Sequence, residues 1–165
     1  RVHIEEDTAK LAHEKNYALV DFNRAGVPLL EIVSEPDLHS AEEVRAYATA
    51  LRSLLRYLRV NSGDMQKGVM RIEPNVSVRP VGTEKFGTRV EIKNLNSFRS
   101  VLRSMEYEMD RQRRILDQGG AVARETRGGQ SAESAGHRRS GREASCHSRI
   151  SRNIGPASQI RCGRS

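Results

Sequence analysis

The sequence predicts an α+β fold, in which helices pack on an antiparallel sheet of short strands. Two observations support this class. Short runs rich in β-branched residues occur along the first part of the chain, and two longer segments carry apolar residues at helical spacing. The strands and helices do not alternate regularly, which disfavours a parallel α/β sheet. At 165 residues the chain is long enough for one domain with a buried core.

Five runs are predicted to form strands. Each is short and carries Val, Ile or aromatic residues, and turn-forming or polar residues separate the runs from one another. In chain order they are residues 2–7, 17–22, 29–33, 69–78 and 88–92. The sequence has no glycine-rich phosphate-binding loop and no internal repeat.

The first helix is predicted to begin after Ser40. Ser40 and Glu43 have the spacing of a capping box, in which each side chain accepts a backbone N–H at the start of the helix. Apolar residues then follow at helical spacing from Val44 to Leu58. The sequence Asn-Ser-Gly-Asp at 61–64 ends this pattern.

The second helix is predicted to begin near Ser97, with Asn96 and Ser97 as capping residues. Apolar residues recur at helical spacing from Phe98 to Leu116. Two glycines at 119 and 120 then favour the end of the helix.

The composition changes at residue 129. From there to the end the chain has no Leu, Val, Lys, Phe, Tyr or Trp, and it has seven Arg and two Glu. Such a segment buries too little apolar surface to order itself. We therefore divide the chain into a body, 1–128, and a disordered basic tail, 129–165. The tail is either an RNA-contacting segment, an out-of-frame translation or a cloning artefact, and the loss of Lys and Leu favours the second.

Charge and cysteine usage exclude some classes of protein. The net charge of +7 contains +5 from the tail, so the body carries only +2, which is weak evidence for a polyanionic partner. Both cysteines, Cys146 and Cys162, lie in the tail, so the body has neither a disulfide framework nor a thiolate zinc site. No apolar stretch is long enough to cross a membrane.

Three glutamates lie within strand-like apolar runs: Glu6, Glu31 and Glu73. An unpaired buried carboxylate costs several kcal/mol, so each needs a metal, a cation or an outward position. Carboxylate oxygens suit Mg²⁺, and three acids from separate strands could converge on one ion. The alternative is that each glutamate pairs with an arginine on a solvated face.

Further candidates lie on either side of Glu73 along the same segment. Arg71, Asn75 and Arg79 have the same parity as Glu73, so we expect all four side chains to point the same way. Lys93 directly follows the predicted strand 88–92, close to a helix N-terminus, where it could contact a phosphate. Two guanidiniums, an amide and an ammonium could bind phosphate beside the metal. An ion-paired solvent face explains the pattern of Arg71, Asn75 and Arg79 equally well.

Several long motifs resemble one family, the B subunits of glutamyl/aspartyl-tRNA amidotransferases (GatB). They are His3-Ile-Glu-Glu-Asp7, the stretch 19–37 containing Arg-Ala-Gly-Val-Pro-Leu-Leu-Glu-Ile-Val, Arg71-Ile-Glu-Pro-Asn-Val-Ser-Val-Arg-Pro80, Glu91-Ile-Lys-Asn-Leu-Asn-Ser-Phe98 and Glu125-Thr-Arg127. They occur in the family's order. The resemblance covers 1–128 and stops where the composition changes.

The resemblance implies a carbon–nitrogen ligase that takes its nitrogen from glutamine. Such a protein uses ATP and Mg²⁺ to phosphorylate the side-chain carboxylate of glutamate, or aspartate, misacylated onto tRNA. Ammonia from an amidase A subunit then displaces the phosphate, and a small C subunit completes the complex. The implied fold is part of a glutamine-synthetase-like cradle, and the implied location is the cytoplasm of a bacterium, with an organelle left open.

The resemblance also implies roles for individual residues. Glu6 and Glu31 would be metal ligands, and Glu73 would occupy a third acidic metal-binding position; Arg71, Asn75, Arg79 and Lys93 lie in the same motifs. Members of the family carry further metal ligands upstream and tRNA-binding domains downstream. We therefore expect this chain to be a fragment that is inactive alone.

Two other functions remain open from the sequence. One is a small RNA-binding or assembly module, whose acids pair with arginines and whose basic tail binds RNA. The other is an independent enzyme similar to glutamine synthetase that acts on a free amino acid. The chain is short for the second, and its motifs resemble the tRNA-dependent family more closely.

Overall fold

The computed structural model describes residues 1–129, 150–151 and 159–163. Eleven strands and two helices lie in these residues. In chain order they are β1 (Val2–Glu6), β2 (Lys10–His13), β3 (Ala18–Asp21), β4 (Pro28–Val33), α1 (Ala41–Tyr57), β5 (Met70–Glu73), β6 (Asn75–Val76), β7 (Arg79–Pro80), β8 (Val90–Lys93), α2 (Phe98–Asp117), β9 (Thr126–Gly128), β10 (Ile150–Ser151) and β11 (Gln159–Gly163).

The strands form small, mainly antiparallel sheets. The largest has four strands in the order β1-β4-β11-β5, and a second has three in the order β6-β8-β9. Two further pairs are β2 with β3 and β7 with β10. Among the described strands, β8 and β9 are the one parallel pair. The predicted α+β class is therefore confirmed.

One apolar core joins the two helices to β5, β6 and β8. On β5 the burial alternates: Met70 and Ile72 are buried, while Arg71 and Glu73 are partly exposed. This alternation follows from the pleat, which turns successive side chains to opposite faces. The buried side chains of the core include Val44, Ala48, Val76, Ile92, Val101 and Met105. The sheet therefore has a core face and an opposite face that is free to carry polar groups.

Both predicted helices are present. In α1 the Ser40 hydroxyl accepts the N–H of Glu43, as predicted, but the Glu43 carboxylate accepts the N–H of His39 rather than that of Ser40. In α2 a complete capping box forms between Ser97 and Ser100. The predicted cap at Ser97 is confirmed.

Replacing Ser97 with Ala should lower the free energy of unfolding by about 1 kcal/mol, because the N–H of Ser100 loses its acceptor. Urea denaturation measures this change. Ser53→Ala is the control, since the Ser53 hydroxyl donates to Thr49 on the exposed side of α1 and alanine is the better helix former. An equal loss in both variants would contradict a capping role for Ser97.

The structure divides the predicted strand 69–78 at Pro74. Proline has no N–H to donate, and here its carbonyl accepts the N–H of Ile92. As a result β5 belongs to the four-stranded sheet, whereas β6 pairs with β8. The sequence analysis also missed β2, whose residues are all exposed and show no buried alternation.

The tail prediction stays a prediction, because most of 130–165 lies outside the described residues. The structure places β10 beside β7, and β11 between β4 and β5. No helix in the described part of the chain is long and apolar enough to cross a lipid bilayer.

Candidate functional site

Charged side chains gather on the face of the four-stranded sheet that is opposite the core. In the antiparallel register His3 lies directly across from Glu31. One position of β11 pairs with Glu31 of β4 on one side and with Arg71 of β5 on the other. Directly paired residues project to the same face, and so do residues two apart on one strand. We call this surface, formed by His3, Glu5, Glu31, Arg71 and Glu73, the polar face.

Glu6 does not belong to the polar face. It pairs with Pro28, three residues from Glu31, so the pleat turns Glu6 and Glu31 to opposite sides of the sheet. The predicted cation shared by Glu6, Glu31 and Glu73 stays a prediction, and this register places Glu6 on a different face from Glu31. The acids of this segment with the polar-face parity are Glu5 and Asp7.

Glu73 is the acid on this face with an unsatisfied oxygen. Its side chain is 14% exposed, and its Oε2 atom is buried without a hydrogen-bond partner among the described residues. The ammonium of Lys93 lies 4.0 Å from this oxygen and 3.7 Å from Oε2 of Glu91. The hydroxyl of Thr126 donates to the same Glu91 oxygen at 3.1 Å. The Glu73 carboxylate can therefore accept a further cation or donor.

The arrangement partly fits the predicted magnesium ion. Mg²⁺ commonly takes one or two carboxylates and fills its other positions with water and substrate phosphates. Glu31 and Glu73 share the polar face, on strands about 10 Å apart with β11 between them. Within the described residues, no group of three or more His, Cys, Asp or Glu side chains could hold a metal. The carboxylates of Glu5, Glu31 and Glu73 share this face, but in the described part of the chain they do not form a metal-binding group of three.

The four predicted phosphate-binding residues do not form one cluster. Lys93 lies beside Glu73, and the register places Asn75 across from Glu91, two residues from Lys93. Arg79 points elsewhere: it donates to the Glu84 carbonyl, and its guanidinium lies 4.8 Å from the centre of the Phe86 ring.

Arg71 is the remaining member of that set, and it pairs with Asp7. The break at Pro74 explains the dispersal of the four residues, since β5 and β7 belong to different sheets.

Asp7 is a residue that the sequence analysis did not select. Its side chain is 11% exposed, and its Oδ2 atom lies 3.0 Å from a terminal nitrogen of Arg71 and 3.4 Å from Nε of Arg24. The signal was available, because Asp7 has the parity of His3 and Glu5. Asp7 ties the end of β1 to β5 and to the turn around Arg24.

The sequence analysis also missed a second polar cluster, which is centred on buried residues of α2. Glu108 is 2% exposed and accepts two hydrogen bonds from Arg111, at 2.9 and 2.7 Å, and one from Gln112 at 2.8 Å. The pKa of Arg111 is raised, chiefly by its hydrogen bond to Glu108. Arg127 approaches Glu108 at 3.7 Å and donates to Glu125 at 2.9 Å. This cluster attaches Arg127 of β9, and Glu125 just before β9, to α2.

Comparison with known proteins identifies the family. The family model described as "GatB/GatE catalytic domain" matches residues 1–151. The B subunit of the aspartyl/glutamyl-tRNA(Asn/Gln) amidotransferase from Herpetosiphon aurantiacus is 55% identical over 129 residues, which are 78% of this chain and 27% of that protein.

The B subunits of the same amidotransferase from two other organisms are also similar to the chain. The protein from Persephonella marina is 55% identical over 127 residues, 77% of this chain and 27% of its own. The protein from Roseiflexus castenholzii is 58% identical over 129 residues, 78% of this chain and 27% of its own. The chain thus spans about a quarter of the length of these relatives. Because the family model matches most of its residues, the chain belongs to the GatB/GatE catalytic domain family.

Proposed function

We propose that the chain is part of the catalytic region of a tRNA amidotransferase B subunit. The reaction class would be a carbon–nitrogen ligase that uses glutamine as the nitrogen donor. Membership of the family and the names of the relatives support this proposal. The structural observation that carries it is the polar face, where the unsatisfied Glu73 oxygen lies beside Lys93 and shares a side of the sheet with Glu31.

The chemistry would explain why such a face is needed. A carboxylate is a poor electrophile, so its oxygen must first become part of a leaving group. ATP would transfer its terminal phosphoryl group to the side-chain carboxylate of a misacylated glutamate or aspartate, which releases ADP. The nitrogen of ammonia would then attack the carbonyl carbon, and the carbon–oxygen bond to phosphate would break, giving the amide. Both steps gather negative charge, which fixed cations and a metal stabilise.

Glu31 and Glu73 would hold the magnesium ion. The ion supplies positive charge next to the phosphates when it is bound. Lys93 and Arg71 would bind and orient phosphate oxygens, each from beside a carboxylate that already holds it in position. Asn75 lies across from Glu91, two residues from Lys93, and would complete this set. Arg79 would act from β7, beside the Phe86 ring.

The assembly that we propose is larger than this chain. An amidase A subunit would supply ammonia, a small C subunit would complete the complex, and misacylated tRNA would be the substrate. The proposed location is the cytoplasm of a bacterium. We expect no ATP-dependent amidation by the 165-residue chain alone, since it spans about a quarter of its relatives.

Nucleotide binding by the chain tests the proposal without requiring turnover. Isothermal titration with ATP should give binding in the presence of Mg²⁺ that disappears with a chelator, and Glu31→Ala should abolish it. Glu106→Ala serves as the control, because Glu106 is an exposed acid on α2, away from the polar face. Nucleotide binding that is equal with and without Mg²⁺ would contradict the proposed role of the face.

The RNA-binding alternative rests on the basic composition of the tail. It predicts salt-sensitive RNA binding that survives Glu31→Ala and is lost when Arg138, Arg139 and Arg142 are replaced by Gln. Point substitutions are preferable to truncation, because β11 pairs with both β4 and β5 and its loss would disturb the sheet. RNA binding of this kind without any Mg²⁺-dependent nucleotide binding would favour the alternative.

A further inference from the structure

Arg24 and Arg71 share a single carboxylate at the edge of the polar face. The Oδ2 atom of Asp7 lies 3.4 Å from Nε of Arg24 and 3.0 Å from a terminal nitrogen of Arg71. Arg24 comes from the turn between β3 and β4, and Arg71 comes from β5. We call these two residues the arginine pair. Their guanidiniums therefore contact the same Asp7 oxygen, although the two arginines are 47 positions apart in the sequence.

The arginine pair is more exposed than the carboxylate that it shares. The side chains of Arg24 and Arg71 are 43% and 33% exposed, whereas that of Asp7 is 11% exposed. Within residues 1–129, Asp7 is the acid that forms ion pairs with them. Two guanidiniums share one carboxylate, so these three groups together carry one net positive charge. Asp7 is the most buried of the three, and its ion pairs use one nitrogen of each guanidinium.

The local backbone holds this arrangement in place. The N–H of Asp7 donates to the Val27 carbonyl at 2.8 Å, and the N–H of Gly26 donates to the Asp7 carbonyl at 2.9 Å. The second side-chain oxygen of Asp7 accepts the N–H of Thr8 at 3.1 Å. Arg24 also reaches the Gly68 carbonyl at 3.5 Å. The carboxylate is thus fixed on both sides, and it orients the guanidiniums before any ligand arrives.

We propose that the arginine pair is an oxyanion-binding site and that Asp7 is its positioning residue. Paired guanidiniums match the oxygens of phosphate and carboxylate groups, because each presents parallel N–H donors in a fixed plane. The ligand is a phosphate group of a nucleotide or a carboxylate of an amino-acid substrate. The inference rests on the proposed function only for this choice of sources, since the site itself follows from the geometry of three residues.

Chemical modification of the unaltered chain tests the site. Phenylglyoxal reacts with arginine side chains, and mass spectrometry of peptides gives the rate at each position. Inorganic tripolyphosphate should slow the modification of Arg24 and Arg71 roughly tenfold at about ten times its dissociation constant, because few sites are then free. Arg113 is the matched control. Its side chain is 39% exposed, and it pairs with Asp110 at 3.1 Å on α2, away from the sheet.

Glutarate at the same ionic strength distinguishes the two sources of the oxyanion. Protection by tripolyphosphate alone identifies a phosphate site, and protection by glutarate alone identifies a carboxylate site. Equal modification rates with and without both anions would overturn the proposal, and so would equal protection of Arg113. These results do not depend on amidation, so the site and the proposed function can fail separately.

Titration of variants gives a second measurement. Arg24→Gln should weaken tripolyphosphate binding about tenfold, the loss expected for one charge-assisted hydrogen bond, while Arg113→Gln should leave it unchanged. Arg24→Lys keeps the charge but not the planar fork, so its affinity should lie between the two. Circular dichroism checks that each variant is folded. A folded Arg24→Gln chain with unchanged affinity for tripolyphosphate would contradict the proposal.

Discussion

Replacing Gln112 with Met should lower the free energy of unfolding by about 3 kcal/mol, because buried backbone groups lose their partners. Gln112 is fully buried and makes three hydrogen bonds. Its side-chain oxygen accepts the N–H of Val78 at 3.0 Å, and its nitrogen donates to the Val76 carbonyl at 3.1 Å and to Glu108 at 2.8 Å. Methionine has a similar volume, so the loss would come from unsatisfied polar groups rather than from a cavity.

Urea denaturation followed by circular dichroism measures the effect of Gln112→Met. The control is Gln118→Met, an exposed glutamine just beyond the end of α2, which should change stability by less than about 0.5 kcal/mol. If the two variants unfold at the same urea concentration, Gln112 does not anchor β6 as the structure indicates.

The helices could be predicted from sequence because their signals are local. Ser97 caps α2 through residues three positions away, and the apolar stripe of each helix repeats at a fixed spacing. The α+β class follows from the same local patterns and the absence of strand–helix alternation. None of these conclusions requires knowing which strands are neighbours.

The candidate site depended on strand pairing, which is not local. Glu6 lies near the end of the run 2–7 and Glu31 lies within a continuous apolar run, and neither pattern shows which face of a sheet the side chain takes. The register between β1 and β4 places them on opposite faces, and that register is set across the intervening β2–β3 hairpin. Similarly, the break at Pro74 moved Arg79 away from Arg71. A shift of one residue in the pairing would have reversed the result for Glu6.

Glu108 and Gln112 were missed for a different reason. The apolar pattern of α2 was read from Phe98 to Leu116, and neither Glu108 nor Gln112 was selected as a candidate. Yet Ser104, Glu108 and Gln112 repeat every four residues and are all buried. Polar residues at helical spacing on a buried side are a signal for an internal hydrogen-bond network. That pattern is visible in the sequence.

The buried cluster also reaches the polar face. Gln112 donates to Glu108, and Glu108 lies 3.7 Å from Arg127, which belongs to β9. The neighbouring residue of β9, Thr126, donates to Glu91, and Glu91 in turn pairs with Lys93 beside Glu73. Polar contacts, with one step along the backbone from Arg127 to Thr126, therefore link the interior of α2 to the carboxylate that we propose as a metal ligand. Rigid support of this kind is what a site needs if its charges are to be positioned before substrate binds.

Replacing Glu73 with Gln should weaken Mg²⁺-dependent nucleotide binding by at least about 100-fold, because substitution of groups that merely support metal ligands already costs roughly 10–100-fold. The amide keeps the size of the side chain and removes its negative charge. Glu6→Gln should leave binding unchanged, since Glu6 lies on the other side of the sheet. Both substitutions remove one negative charge from a glutamate. A difference between them therefore reflects the position of the side chain and not the net charge of the protein.

Titration of ATP into each variant, with Mg²⁺ and then with a chelator, measures this difference. Glu73→Gln should bind the nucleotide equally weakly under both conditions. Thermal unfolding in the absence of ligand shows whether the loss of charge beside Lys93 disturbs the fold, and we expect little change because Lys93 keeps Glu91 as a partner. If Glu6→Gln proves as damaging as Glu73→Gln, the metal is not held on the polar face. The register between β1 and β4 would then have to differ in the nucleotide-bound state.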